Sequence, residues 1–225
     1  LQQYLDAEGP QVLGSFGMLF HPFPILIKLI DAAQPLSIQV HPSNFYAINR
    51  EHQYGKTEMW YVVDAEPGAF LYYGFRQPIT REEFARRIED NTLPEVLNAV
   101  PVCKGDCFYI PSGTVHAIGK GILIAEVQQN SDVTYRVYDY DRLSNGKPRE
   151  LHIDKSIDVI TVPAKSVADS VKSVADLPVN TLNELYVCKY FHIYKIEVSG
   201  KMTFEQNAPF MNMTVTEGNG IVNGQ

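Results

Sequence analysis

Short runs that alternate apolar with polar residues recur along the chain, each closed by Gly, Pro or Asp. They fall at 25–30, 37–41, 59–63, 69–73, 107–110 and 122–127, and this even spacing predicts a mainly β unit, a sandwich or a barrel. One helix interrupts the pattern. Thr80-Arg-Glu-Glu83 has the form of a capping box, and Phe84, Ile88, Leu93, Val96 and Leu97 provide an apolar face, so a small helical insertion is expected at about 80–100.

Beyond this, residues 135–141 return to strand and turn, and Asn145-Gly146 marks a turn within a polar loop. Composition then shifts. The stretch 163–178 is rich in Ser, Val, Ala and Asp without aromatics and reads as a linker or edge segment between two units, with the linker placed at 163–180. Strand-like runs resume at 190–198, 202–205 and 211–216. The segment Met213-Thr-Val-Thr-Glu-Gly-Asn-Gly220 weakly echoes the run from Met59 to Gly68. The expected organisation is therefore a metal-binding catalytic unit at 1–162, the linker, and the start of a second barrel at 181–225. That second copy carries Asn and Thr where the first has His and Glu, which leaves it without metal ligands. A chain running from Leu1 to a strand-and-turn pattern at Gln225 is read as a trimmed form of a longer protein.

The 225 residues, 45% hydrophobic and 20% charged, describe an ordinary globular chain. A formal charge of −7 gives no basic stripe for nucleic acid. No run reaches the ~18 apolar residues of a membrane helix; the longest, 23–30, is broken by Pro24 and Lys28. Cys103, Cys107 and Cys188 are too few for a disulfide framework, so a reducing cytoplasmic setting is expected, with Cys103 and Cys107 as buried free thiols rather than zinc ligands. Oligomeric state is not legible.

The chemistry concentrates elsewhere. Gln39-Val-His41, Glu58, and His116 at the end of Gly105-Asp-Cys-Phe-Tyr-Ile-Pro-Ser-Gly-Thr-Val-His116 supply two imidazoles, a carboxylate and an amide, donors suited to a divalent transition metal. Gln39 and His41, two apart, share one face of a strand. Four donors from three segments can converge on one ion inside a barrel. The other histidines, His21, His52, His152 and His192, have no such company and read as surface or structural.

Ser37-Ile-Gln-Val-His41-Pro, Lys56-Thr-Glu58-Met-Trp-Tyr-Val and Ile110-Pro-Ser-Gly-Thr-Val-His116-Ala-Ile resemble the type I mannose-6-phosphate isomerases, short bacterial form, zinc enzymes of the cupin superfamily. The run from Phe23 to Ala32 and the run from Glu126 to Arg136 resemble further segments of that family. The resemblance implies a cupin fold, a jelly-roll or double-stranded β-helix barrel, with one Zn2+ per chain held by Gln39, His41, Glu58 and His116. It implies Arg136 as the active-site arginine and a phosphorylated hexose as substrate, with Ser37, Lys56, Glu126, Asp132 and Arg142 near it. Arg142 departs from the pattern, since longer members carry Lys there.

Interconverting mannose 6-phosphate and fructose 6-phosphate moves a proton between C1 and C2 through an enediolate. The site therefore needs an electrophile, a base and a phosphate anchor. Zinc is a Lewis acid suited to the first task, and Arg136 suits stabilisation of the enediolate. Glu126, a metal-bound water and Lys56 all stand as candidate bases; Ser37, Lys56 and Arg142 are candidate phosphate donors. Ser37 and Asp132 serve equally as partners that orient ligands. The competing readings are an iron-dependent cupin dioxygenase and a non-catalytic sugar-binding cupin.

Overall fold

The computed structural model describes residues 2–14, 19, 22–140, 142–162, 168, 171–174 and 176–224. His21 and much of the expected linker (163–167, 169, 170 and 175) lie outside the described residues. In chain order the elements are α1 (Gln2–Glu8), β1 (Ile25–Ala32), β2 (Ile38–Val40), α2 (Asn44–Glu51), β3 (Glu58–Ala65), β4 (Phe70–Phe75), α3 (Arg81–Glu89), β5 (Leu97–Pro101), β6 (Asp106–Ile110), β7 (His116–Ala117), β8 (Ile122–Gln129), β9 (Tyr135–Tyr138), β10 (Leu143–Ser144), β11 (Lys147–Pro148), α4 (Ile153–Val159), β12 (Val171–Ser173), β13 (Asn183–Val187) and β14 (His192–Lys195).

Two antiparallel five-stranded sheets carry the fold, ordered β1-β8-β3-β6-β12 and β5-β4-β7-β2-β9. Alternation along each strand decides which side chains meet between them. Trp60, Val62, Phe108, Ile110, Ile122 and Ile124 of the first sheet pack with Leu71, Tyr73 and Val100 of the second. Burying each such side chain contributes about 1.5–3 kcal/mol. The outer face of the second sheet, with Ile38, Val40, Tyr135 and Val137, is covered by Phe84 and Ile88 of α3 and by Ile160. Met59 and Cys107, on the outer face of the first sheet, are covered by Leu185 and Phe191 of the β13–β14 segment.

Helix α3 starts as the capping pattern requires: Thr80 is the N-cap and its hydroxyl accepts from Glu83 N at 3.2 Å. The reciprocal half of the box is replaced, because Glu83 spends its carboxylate on Arg86 and Arg87 one turn later. Asn145 and Gly146, both at positive φ, close the β10–β11 hairpin.

Three expectations are corrected. Residues 202–205 and 211–216 form no strand; a β run needs a hydrogen-bonding neighbour, and most residues of these two runs are exposed. The echo of 59–68 at 213–220 is consequently one of sequence and not of secondary structure. Cys107 is buried, whereas Cys103 is exposed; both are free. Among the described residues no helix is long and apolar enough to cross a membrane.

Candidate metal centre

Because Ile38 and Val40 face the helices, Gln39 faces the first sheet. His116 on β7 and Arg136 on β9 are its direct cross-strand neighbours, one on each side. Across the gap, Glu58 begins β3, between Gln128 of β8 and Ile110 of β6. His41 follows β2, and its carbonyl accepts from Gly113 N at 2.8 Å, which ties the first ligand segment to the turn preceding His116.

His41, Glu58 and His116 offer one donor atom each, all within 4.8 Å of one another. His116 Nε2 lies 3.2 Å from Glu58 Oε1, and His41 Nε2 lies 3.6 Å from Glu58 Oε2. Donors about 2 Å from a shared ion stand roughly 3–4 Å apart, so these spacings are those of a ligand set. All three residues are fully buried. Each imidazole turns Nδ1 to a main-chain carbonyl, His41 to Val133 O at 3.1 Å and His116 to Thr114 O at 2.8 Å. A proton on Nδ1 leaves the Nε2 lone pairs aimed at the carboxylate.

Among the described residues neither Glu58 oxygen nor His41 Nε2 has a hydrogen-bond partner. Buried acceptors left facing one another are costly unless a cation sits between them. Burial, with Lys56 adding to it, holds the His41 imidazolium well below the ordinary 6.5, so the ring is neutral as a ligand must be. Burial works against ionisation of Glu58, but the Lys56 ammonium beside it outweighs this and holds the carboxyl below its usual range. Gln39 brings its amide to 3.5 Å from His116 Nε2; rotating that amide by half a turn presents its carbonyl oxygen, the atom able to bind a metal. The donor set thus fits a divalent transition metal.

The other expected residues divide into four groups. Lys56 is at the centre, with Nζ 3.2 Å from Glu58 Oε2. Glu126 is buried one step along the first sheet, with Oε1 accepting from Lys28 Nζ at 3.0 Å and Oε2 from Trp60 Nε1 at 2.9 Å. Ser37 is buried on the approach to β2, while Asp132 is exposed on the loop before Val133. Arg142 reaches back to Pro35 O at 2.7 Å and pairs with Asp139 at 2.6 Å.

Lys28 was passed over in the sequence as an interruption of an apolar run. Its Nζ also donates to Gln128 Oε1 at 2.7 Å. The signal was a cation at an inward position of a strand, which only the β1–β8 register connects to Glu126.

No family model matches the chain. It is 48% identical to mannose-6-phosphate isomerase ManA of Bacillus subtilis over 208 residues, 90% of this chain, and 44% identical to mannose-6-phosphate isomerase of Streptococcus mutans serotype c over 201 residues, 89% of it. The chain is a homologue of the mannose-6-phosphate isomerases. It spans 65% and 63% of the length of these two relatives. The crystal structure of the mannose 6-phosphate isomerase from Bacillus subtilis superposes with a TM-score of 0.70 at 38% identity, covering 84% of this chain and 60% of that one. A variant of phosphomannose isomerase from Salmonella typhimurium, at 17% identity and a TM-score of 0.60 over 84% of this chain and 65% of that one, shares the fold.

Proposed function

We propose that this chain carries the catalytic unit of a zinc-dependent aldose–ketose isomerase that interconverts mannose 6-phosphate and fructose 6-phosphate through an enediolate. The observation that carries this reading is the convergence of buried donors from His41, Glu58 and His116, all within 4.8 Å of one another, next to Lys56. The names of the relatives support the substrate, and the two facing sheets support a cupin barrel. The proposed division is a catalytic unit at 1–162 followed by the start of a second barrel at 181–225, with the intervening segment contributing β12 to the edge of the first sheet. A cytoplasmic location goes with this reading.

Gln39, His41, Glu58 and His116 would hold the zinc. When bound, it supplies Lewis acidity to the sugar oxygens. Arg136, opposite Gln39 on the same sheet, stabilises the negative charge of the enediolate. Lys56 borders the centre, which suits contact with the reacting carbons better than a distant phosphate. Proton transfer between C1 and C2 falls to Lys56 or Glu126. Glu126 already accepts from Lys28 and Trp60, one on each oxygen, so its carboxylate is fixed in orientation while a second lone pair on each oxygen remains to take a proton. Ser37 and Arg142 remain for the phosphate, and Asp132 at the rim for the sugar.

The test is a coupled assay on mannose 6-phosphate, aerobically and anaerobically, with and without chelator, on wild type, His116→Ala, Arg136→Ala, Lys56→Met and Glu126→Gln. Activity should survive without oxygen, vanish with chelator and in His116→Ala, and fall about 10²–10³-fold in Arg136→Ala. Chelator-resistant turnover would remove the metal's role. Oxygen-dependent turnover would favour a dioxygenase, and metal binding without turnover a sugar-binding cupin. Whichever of Lys56→Met and Glu126→Gln abolishes proton exchange at C2 names the base.

A further inference from the structure

Three guanidinium groups gather beyond the metal centre around one acid. Asp139, buried just past β9, accepts at Oδ1 from Arg142 Nη2 at 2.6 Å and from Arg149 Nη2, and at Oδ2 from Arg149 Nε at 2.6 Å. Arg136 lies three residues earlier on the same strand, close enough to Arg149 for the two charges to repel. Among the described residues its Nη1 donates to Glu150 O at 3.3 Å, and its Nε is buried with no partner. The Glu150 carboxylate is exposed, nearest to His152. Among the described residues, one buried carboxylate stands against three half-buried arginines, a cluster with N–H groups left to receive an anion.

Position points the same way. Arg136 is directly across from Gln39, and Arg142 is fastened to Pro35 O, at the start of the segment that runs through Ser37 to Gln39 and His41. A bidentate carboxylate holds a guanidinium flat and fixes where its remaining N–H groups point. Asp139 does this for Arg149 while also gripping Arg142. We propose that Arg149, set by Asp139, is a specificity-determining residue that, with Arg142, binds the dianionic phosphate of the substrate. This rests on the sugar-phosphate reading above. Lysine would not replace it, since a point charge lacks the fork that meets two phosphate oxygens.

The test uses the full-length, zinc-loaded protein and its Arg149→Met and Arg149→Lys variants. KM for mannose 6-phosphate, kcat, and competitive inhibition by inorganic phosphate are measured for each. Arg149→Met should raise KM and the phosphate inhibition constant together, by about 10-fold or more, with a smaller loss in kcat; Arg149→Lys should recover only part of it. Unchanged KM and phosphate inhibition in a cooperatively melting Arg149→Met would overturn the proposal. If Arg149→Met does not fold, Arg149→Lys decides: wild-type phosphate inhibition in it removes the requirement for a fork and with it the proposal. A wild type that neither turns over mannose 6-phosphate nor binds phosphate would instead sink the isomerase reading.

Discussion

Gln39 and Arg136 face one another across β2 and β9, so the amide beside the candidate metal donors is next to a guanidinium on the neighbouring strand. Replacing Gln39 by Leu keeps the strand but removes an oxygen donor. Zinc retention against a chelator should weaken by about 10–100-fold, and KM should rise through the loss of alignment at Arg136. Unaltered metal content after dialysis would show that Gln39 is not a ligand.

Asp139 provides a pH signature. Burial opposes its ionisation, but Arg149 and Arg142 overcome this and hold its carboxyl below the ordinary 3.8. The unfolded chain therefore takes up the proton first, so the stabilisation is complete above that value and is lost as pH falls through it. Asp139→Asn should destabilise by about 1–2 kcal/mol near neutrality, a modest figure because both arginines are about a third exposed. Its melting temperature should also decline less steeply in acid than that of wild type. Parallel acid limbs in the two proteins would show that the pairs contribute nothing.

Gly113 has φ +86, and a Cβ there would come within 2.2 Å of Thr161 Oγ1 and 2.9 Å of Val159 O. Its N–H also holds His41 O, and its own carbonyl accepts from Thr161 N. Gly113→Ala should cost about 1–3 kcal/mol in thermal or denaturant unfolding. It should also lower the zinc bound per chain, because the strain is transmitted to His41.

Burial pushes the Cys107 thiol up to about 12, while Cys103 is exposed. Iodoacetamide at about pH 8 should alkylate Cys103 in the native protein and reach Cys107 only after unfolding, as read by peptide mass spectrometry. Rapid native labelling of Cys107 would contradict the packing of Leu185 and Phe191 over the first sheet.

Alternation made the strands readable, and with them the shared face of Gln39 and His41 and the place of Glu58 at the start of its strand. Helix α2 escaped because its apolar residues Phe45 and Ile48 point outward, which erases the one-sided stripe that marks a surface helix. The attachment of Lys28 and Trp60 to Glu126 was invisible for another reason: those contacts depend on pairing of β1 and β3 with β8, some 66 to 98 positions away. Arg149 was hidden likewise, as a charge in a polar loop whose partner lies on the other side of a hairpin. At 202–216 the composition suited strands, but no neighbouring edge stood there to receive them.

Both imidazoles are steered by carbonyls of the main chain, at Val133 and Thr114. Exchanging either of those two side chains leaves the steering oxygen in place, so the tautomer at the centre is insulated from ordinary point changes in its supports. Retuning it requires rerouting the polypeptide itself, through insertion, deletion or a new proline in the turns before His116 and around Ser131. Variation in this centre is thus channelled into loop length, and engineers seeking a different metal preference should begin with those turns.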